Sequence, residues 1–137
     1  MKFDHVGLSV ADLDAQVAWY AASLSLRATM PFEVPPLQLR GCFMVNEQGV
    51  VLELLERQGS RPGLQANSPV EALLTRGYGH LALRVEDVES TYRKLVELGA
   101  KPIHQPQPAP EPGVMFAFVA DPEGNLIELL DRKTPVH

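Results

Sequence analysis

The chain has 137 residues, 45% of them hydrophobic and 21% charged, which is enough apolar material for the core of one ordinary globular domain. A formal net charge of -5 and the lack of any basic run exclude a surface built for nucleic acid. The one cysteine, Cys42, excludes an internal disulfide, and no stretch has the apolar run of a signal peptide or the ~20 apolar residues of a membrane-spanning helix; the reducing cytoplasm is the implied location, with no membrane partner.

The segment FDHVGLSV, from Phe3, alternates as a strand does. Asp12 then stands as a helix N-cap, and the helix runs through about Ser23, with Trp19 and Tyr20 packing into the core. Three strands follow, near Arg27–Glu33, Gln38–Asn46 and Val50–Glu56, with Glu47-Gln48 in a tight turn. The polar, Gly- and Pro-bearing stretch 58–79 predicts a connection holding a short helix at Ser68–Arg76. A strand at His80–Val85, a helix from Asp87 to about Leu98 and a C-capping Gly99 come next. Three more strands close the chain, the last being Asn125–Asp131, preceded by a tight turn at Glu123-Gly124. Proline cannot donate to a sheet ladder, so KPIHQPQPAPEPG, from Lys101, predicts a loop bordering a site, with His104 exposed on it.

Shifted by 75 residues, the chain falls on itself without a gap. HVGLSVADLD from His5 meets HLALRVEDVE from His80, and GVVLELLER from Gly49 meets GNLIELLDR from Gly124. His5 to Glu53 and His80 to Glu128 both span 48 residues. The fold class is therefore α+β: two tandem βαβββ modules, about 1–57 and 79–132, joined by a linker of about 58–78 in a single domain of 1–137. Each module covers one sheet face with its helix, and the faces left over pair as a cup-shaped mixed sheet around a cleft.

Alternation along the strands sorts the residues of that cleft. Val6, Leu8 and Val10 share the helix face of the first strand, while His5, Gly7 and Ser9 share the other. Leu81, Leu83 and Val85 pack, while His80, Ala82 and Arg84 face away; Glu53 and Glu128 sit on the same non-helix side of their strands. A glutamate within VVLELLE is costly unless a charge, a hydrogen-bond network or a metal compensates it. Two such glutamates, each with a matching histidine, make a mixed N/O set for one divalent transition metal: Zn, Ni, Co, Mn or Fe.

The blocks FDHVGLSVADLDAQVAWY, GHLALRVEDVESTYRKLVELGAKP and FVADPEGNLIELLD resemble the vicinal oxygen chelate superfamily, which includes glyoxalases, bleomycin-resistance proteins and dioxygenases. The resemblance covers nearly the whole chain. It implies paired βαβββ modules (the glyoxalase-like fold), a homodimer, and the four-ligand set of glyoxalase I and methylmalonyl-CoA epimerase, which falls on His5, Glu53, His80 and Glu128. Extradiol dioxygenases and fosfomycin-resistance enzymes use two His and one Glu, so Glu53 sets this chain apart from them. Glutathione-using members tend to have Arg four residues after the first histidine and Asn four residues after the first glutamate; here Ser9 and Arg57 stand there. The epimerases carry a glutamate on the third strand where this chain has Gly41.

The resemblance implies a metal-dependent lyase or isomerase that abstracts a proton next to a metal-bound carbonyl or hydroxyl of a small metabolite. Glu128 is then the base and Glu53 its pseudo-symmetric counterpart. Ser9, Arg84, Phe43 and Phe118 are expected to face the substrate, Arg84 meeting a carboxylate or phosphate. Two rival classes stand beside this: an iron-dependent dioxygenase with three protein ligands, and a non-catalytic metabolite- or antibiotic-binding protein. The second calls for an aromatic-lined pocket, which one Trp and three Tyr supply poorly.

Overall fold

The computed structural model describes residues 1–134 and 136, in two compact units, Met1–Arg61 and Pro62–His137. In the first unit, β1 (Val6–Val10) leads into α1 (Leu13–Leu24), then β2 (Arg27–Val34), β3 (Leu39–Val45) and β4 (Val51–Arg57). The sheet order is β1-β4-β3-β2, with β1 parallel to β4 and the other pairs antiparallel. The second unit repeats this with β5 (Leu81–Arg84), α3 (Val88–Glu97), β6 (Lys101–Pro108), β7 (Met115–Ala120) and β8 (Leu126–Leu130), in the order β5-β8-β7-β6.

Local chemistry sets the element ends in the same way in both units. Asp12 accepts from the Ala15 N–H at 2.9 Å, and Asp87 from the Ser90 N–H at 2.8 Å, each satisfying an orphan donor of a helix start. The β3–β4 turn is held by Asn46, whose Oδ1 accepts from the Gln48 and Val50 N–H groups. Asp121 does the same for Glu123 and Asn125 between β7 and β8. Both turns place a glycine at positive φ, Gly49 at 87° and Gly124 at 94°, where a Cβ would be strained. Gly99, with φ 97°, ends α3.

Each sheet buries one face against its helix. Val10, Cys42, Met44, Leu52 and Leu54 are buried in the first unit with Leu13, Trp19 and Tyr20 of α1. Ala117, Val119, Ile127 and Leu129 are buried in the second with Val88 and Leu95 of α3. The opposite face of the second sheet is partly covered by the connection: Ala66 and Ala72 bury against Phe118, Ala120 and Leu126. The short helix α2 is only Pro69–Ala72, capped by Ser68, rather than the longer helix to Arg76 expected from sequence.

The proline-rich segment departs furthest from expectation. Residues 101–108 form a strand, β6, and not a loop. Among the described residues it pairs only with β7, so one side of its ladder is unpaired there and needs no N–H donors. Register shifts between Pro102 and His104, and between His104 and Gln107, fall where the prolines interrupt pairing. His104 is correspondingly half-buried rather than exposed, stacked on Phe116 with ring centroids 4.9 Å apart.

Candidate metal centre

His5 and His80 stand one residue before β1 and β5, so the strands begin later than the alternation from Phe3 suggested. Each points toward the glutamate in the middle of the neighbouring parallel strand. His5 Nε2 lies 3.3 Å from Glu53 Oε2, and His80 Nε2 lies 3.1 Å from Glu128 Oε2. Gly7 pairs with Glu53 in the ladder, and a Cβ there would stand 3.6 Å from Glu53 Oε2, ordinary contact.

A phenyl ring backs each pair from the next strand. Phe43 is in register with Glu53 and meets the His5 ring edge-on at 5.3 Å. Phe118 is in register with Glu128 and meets His80 at 5.2 Å in the same geometry. Edge-to-face packing fixes the imidazole planes. Of the residues expected to face a substrate, Phe43 is half-buried, Phe118 is buried, and Ser9 and Arg84 are exposed.

The two pairs differ in their outer support. The His5 Nδ1–H donates to Asp4 Oδ1 at 2.6 Å, which is the first cause of a basicity raised above that of an ordinary histidine. Gly79 occupies the equivalent place before His80, and no partner for His80 Nδ1 occurs among the described residues. Sequence reasoning missed Asp4 because the repeat does not conserve it between the halves.

The donor chemistry fits a divalent cation. With its Nδ1 proton directed at Asp4, a neutral His5 aims the Nε2 lone pair at a carboxylate oxygen, and two electron-rich atoms at that distance need a proton or cation between them. Two ligands bound at roughly 2.1 Å and 90–110° lie about 3.0–3.4 Å apart, the range that both pairs occupy. Within the described residues, no group of three or more His, Cys, Asp or Glu comes together as a metal cluster. The structure thus brings His5 to Glu53 and His80 to Glu128, as two pairs.

A cavity of about 610 Å³ in the first unit lies elsewhere, lined by Glu33, Arg40, Glu56, Arg57 and their neighbours, without His5 or Glu53. Its Arg40 is neutralised by Glu56, at 2.8 and 2.9 Å, and by Asp14 at 3.0 Å. Glu56 also accepts the Leu13 N–H at 2.7 Å, so this network ties β3 and β4 to the start of α1. Arg40, whose counterpart in the repeat is Met115, has no role that the sequence alone assigns.

Known proteins share this arrangement of elements. A Synechocystis sp. protein described as a probable lactoylglutathione lyase is 30% identical over 133 residues, 95% of each chain. Glyoxalase I from Zea mays superposes with a TM-score of 0.75 at 23% identity over 95% of this chain, which spans 44% of the maize chain. The trypanothione-dependent glyoxalase I of Leishmania major gives 0.69 at 28% identity, covering 94% of this chain and 85% of that one. The profile of the Glyoxalase/Bleomycin resistance protein/Dioxygenase superfamily matches residues 2–129, nearly the whole of the sequence. By that match, and by a fold of two repeated β-α-β-β-β units, the chain belongs to the glyoxalase/bleomycin resistance protein/dioxygenase superfamily.

Proposed function

We propose that the protein is a divalent-metal-dependent lyase or isomerase of the glyoxalase I-like type, in which His5, Glu53, His80 and Glu128 hold one metal ion. The supporting observation is the pair of matched His–Glu contacts, 3.3 and 3.1 Å, each backed by a phenyl ring. Each unit contributes one pair, from the same chain or from two copies in a homodimer. The metal, when bound, supplies Lewis-acid polarisation of a substrate carbonyl or hydroxyl oxygen, which acidifies the neighbouring C–H.

The chain's own residues do the rest. Glu128 receives the proton at a carboxylate oxygen, and Glu53 is its pseudo-symmetric counterpart. Phe43 and Phe118 hold the imidazoles by edge-on packing. Asp4 keeps the Nδ1 proton of His5 so that Nε2 stays available. Ser9, Arg84 and Phe43 form the substrate-facing set, while Phe118, buried under the connection, supports His80 from behind.

Gly41 separates this reading from a two-base epimerase with a third glutamate on β3. A Cβ at Gly41 would fall 2.6 Å from the Leu54 carbonyl oxygen and 2.7 Å from Phe32 Cζ, so a carboxylate cannot be carried there without moving backbone. The test is to screen the metal-loaded protein for exchange of the substrate C–H proton in D2O against 2-oxoaldehydes, with and without glutathione, and against 2-hydroxy and 2-oxo acids. Exchange abolished in Glu128→Gln supports the reading; exchange that persists in that variant rejects Glu128 as the base.

A further inference from the structure

The non-helix face of the second sheet carries an ordered row beyond the His80–Glu128 pair. Arg84 on β5 is in register with Leu130 on β8, and Leu130 with Phe116 on β7. One pleat repeat toward the pair, Ala82, Glu128 and Phe118 form the preceding row. The rows are separated by two strand residues, about 7 Å. Leu130 and Phe116 are half-buried, and Phe116 is held by Phe118 at 6.1 Å and by the stacked His104 at 4.9 Å. The imidazole of His104 is fixed in turn, with Nδ1 against the Gln105 carbonyl at 2.9 Å and Nε2 against the Gln107 amide nitrogen at 3.0 Å. The row next to the His–Glu pair is therefore apolar at Phe116 and Leu130 and ends on β5 in the Arg84 guanidinium.

Two guanidiniums border Leu130, and they are in different states. Arg132, two residues further along, is held by Glu111 through Nε at 2.9 Å and Nη2 at 2.7 Å. Arg84 is exposed and has no hydrogen-bond or ion-pair partner among the described residues. Its stem can lie along Leu130 while the fork stays free.

We infer that the substrate is a bifunctional metabolite: an oxygenated, enolisable head at His80 and Glu128, a short planar or apolar spacer along Leu130, which Phe116 backs, and a distal carboxylate on Arg84. This rests on the metal-dependent reading above and names the substrate class of that same site. A single free guanidinium matches one carboxylate in bidentate fashion. A phosphate dianion draws a helix N-terminus or a second cation, and here the second cation, Arg132, is already neutralised.

The test uses two chelating probes that differ only at the far end: 4-carboxybenzohydroxamate and its neutral counterpart 4-carbamoylbenzohydroxamate. Their affinities for the metal-loaded protein are measured by calorimetry, with metal content measured on the same samples. The charged probe is expected to bind at least about tenfold tighter. In Arg84→Met that preference is lost, while the neutral probe's affinity and the metal content stay as they were; Arg84→Lys restores part of it. Equal binding of the two probes by wild-type protein carrying one metal per chain would overturn the carboxylate assignment and leave the metal-dependent reading intact. So would a preference that survives in Arg84→Met, or binding of neither probe to metal-loaded protein. Protein that holds no metal would remove the underlying reading and this inference with it.

Discussion

Phe32 on β2 lays its ring over Gly41 on β3, its register partner, filling the space where the repeat puts a side chain on the glycine's counterpart. That counterpart is Phe116, and the counterpart of Phe32 is Gln107. Both sheets thus carry an aromatic at this place, delivered from β2 in one unit and from β7 in the other.

Gly41→Ala should cost about 1–3 kcal/mol of stability, since the added methyl overlaps both the Phe32 ring and the Leu54 carbonyl. Chemical denaturation measures it. Adding Phe32→Ala should recover none of the part due to the backbone carbonyl. A Gly41→Ala protein as stable as wild type would contradict the packing described.

Glu56 links Arg40 to the first N–H of α1, and the Arg40 guanidinium holds its carboxyl below the usual 4.5 of a glutamate. A carboxyl depressed on folding stabilises fully above its unfolded pKa, and that contribution drains away as pH falls through the folded value. Glu56→Gln should lose about 1 kcal/mol at pH 7. The loss should shrink below about pH 4.5, with the wild-type midpoint falling more steeply there than the variant's. Parallel midpoint-against-pH curves for the two proteins would refute the linkage.

Asp4→Asn removes the carboxylate that fixes the His5 tautomer. Metal affinity should drop by about 10–100-fold with the fold unaltered, as read by competition with a chromophoric chelator. Asp4 is exposed, so a drop that came from unfolding would appear in circular dichroism and would count against an orienting role.

Glu128→Gln keeps an oxygen donor but no base. It should retain metal, more weakly than wild type, and lose turnover by about 10²-fold or more. Turnover within a few-fold of wild type would move the base to another group.

Much of this fold is legible in the sequence, because its strongest signals are local and repeated. The N-caps Asp12 and Asp87, the turn glycines Gly49 and Gly124 and the alternation around Leu52–Leu54 and Ile127–Leu129 each fix an element or a face by themselves. The 48-residue His-to-Glu spacing becomes contact because β1 is parallel to β4, and β5 to β8. What alternation could not reveal depends on neighbours distant in sequence. Proline looked like a loop signal at 101–113, but a strand at a sheet edge tolerates it, and only the sheet order says that β6 is that edge. His104 looked exposed for the same reason. Asp4 and Arg40 differ from their counterparts Gly79 and Met115, so a repeat-based reading passes over them, and the close packing around Gly41 depends on Phe32 and Leu54, which the repeat does not reveal.

Everything proposed for this site depends on the His5–Glu53 and His80–Glu128 pairs holding a metal. Elemental mass spectrometry of the purified, untagged protein, alongside His80→Ala, tests it most directly. About one divalent transition metal per chain is expected in the wild type, and its loss in the variant. No metal in the wild type, even after reconstitution with Ni, Co, Mn, Zn and Fe, would rule out the metal-dependent reading and leave a binding protein on the same fold.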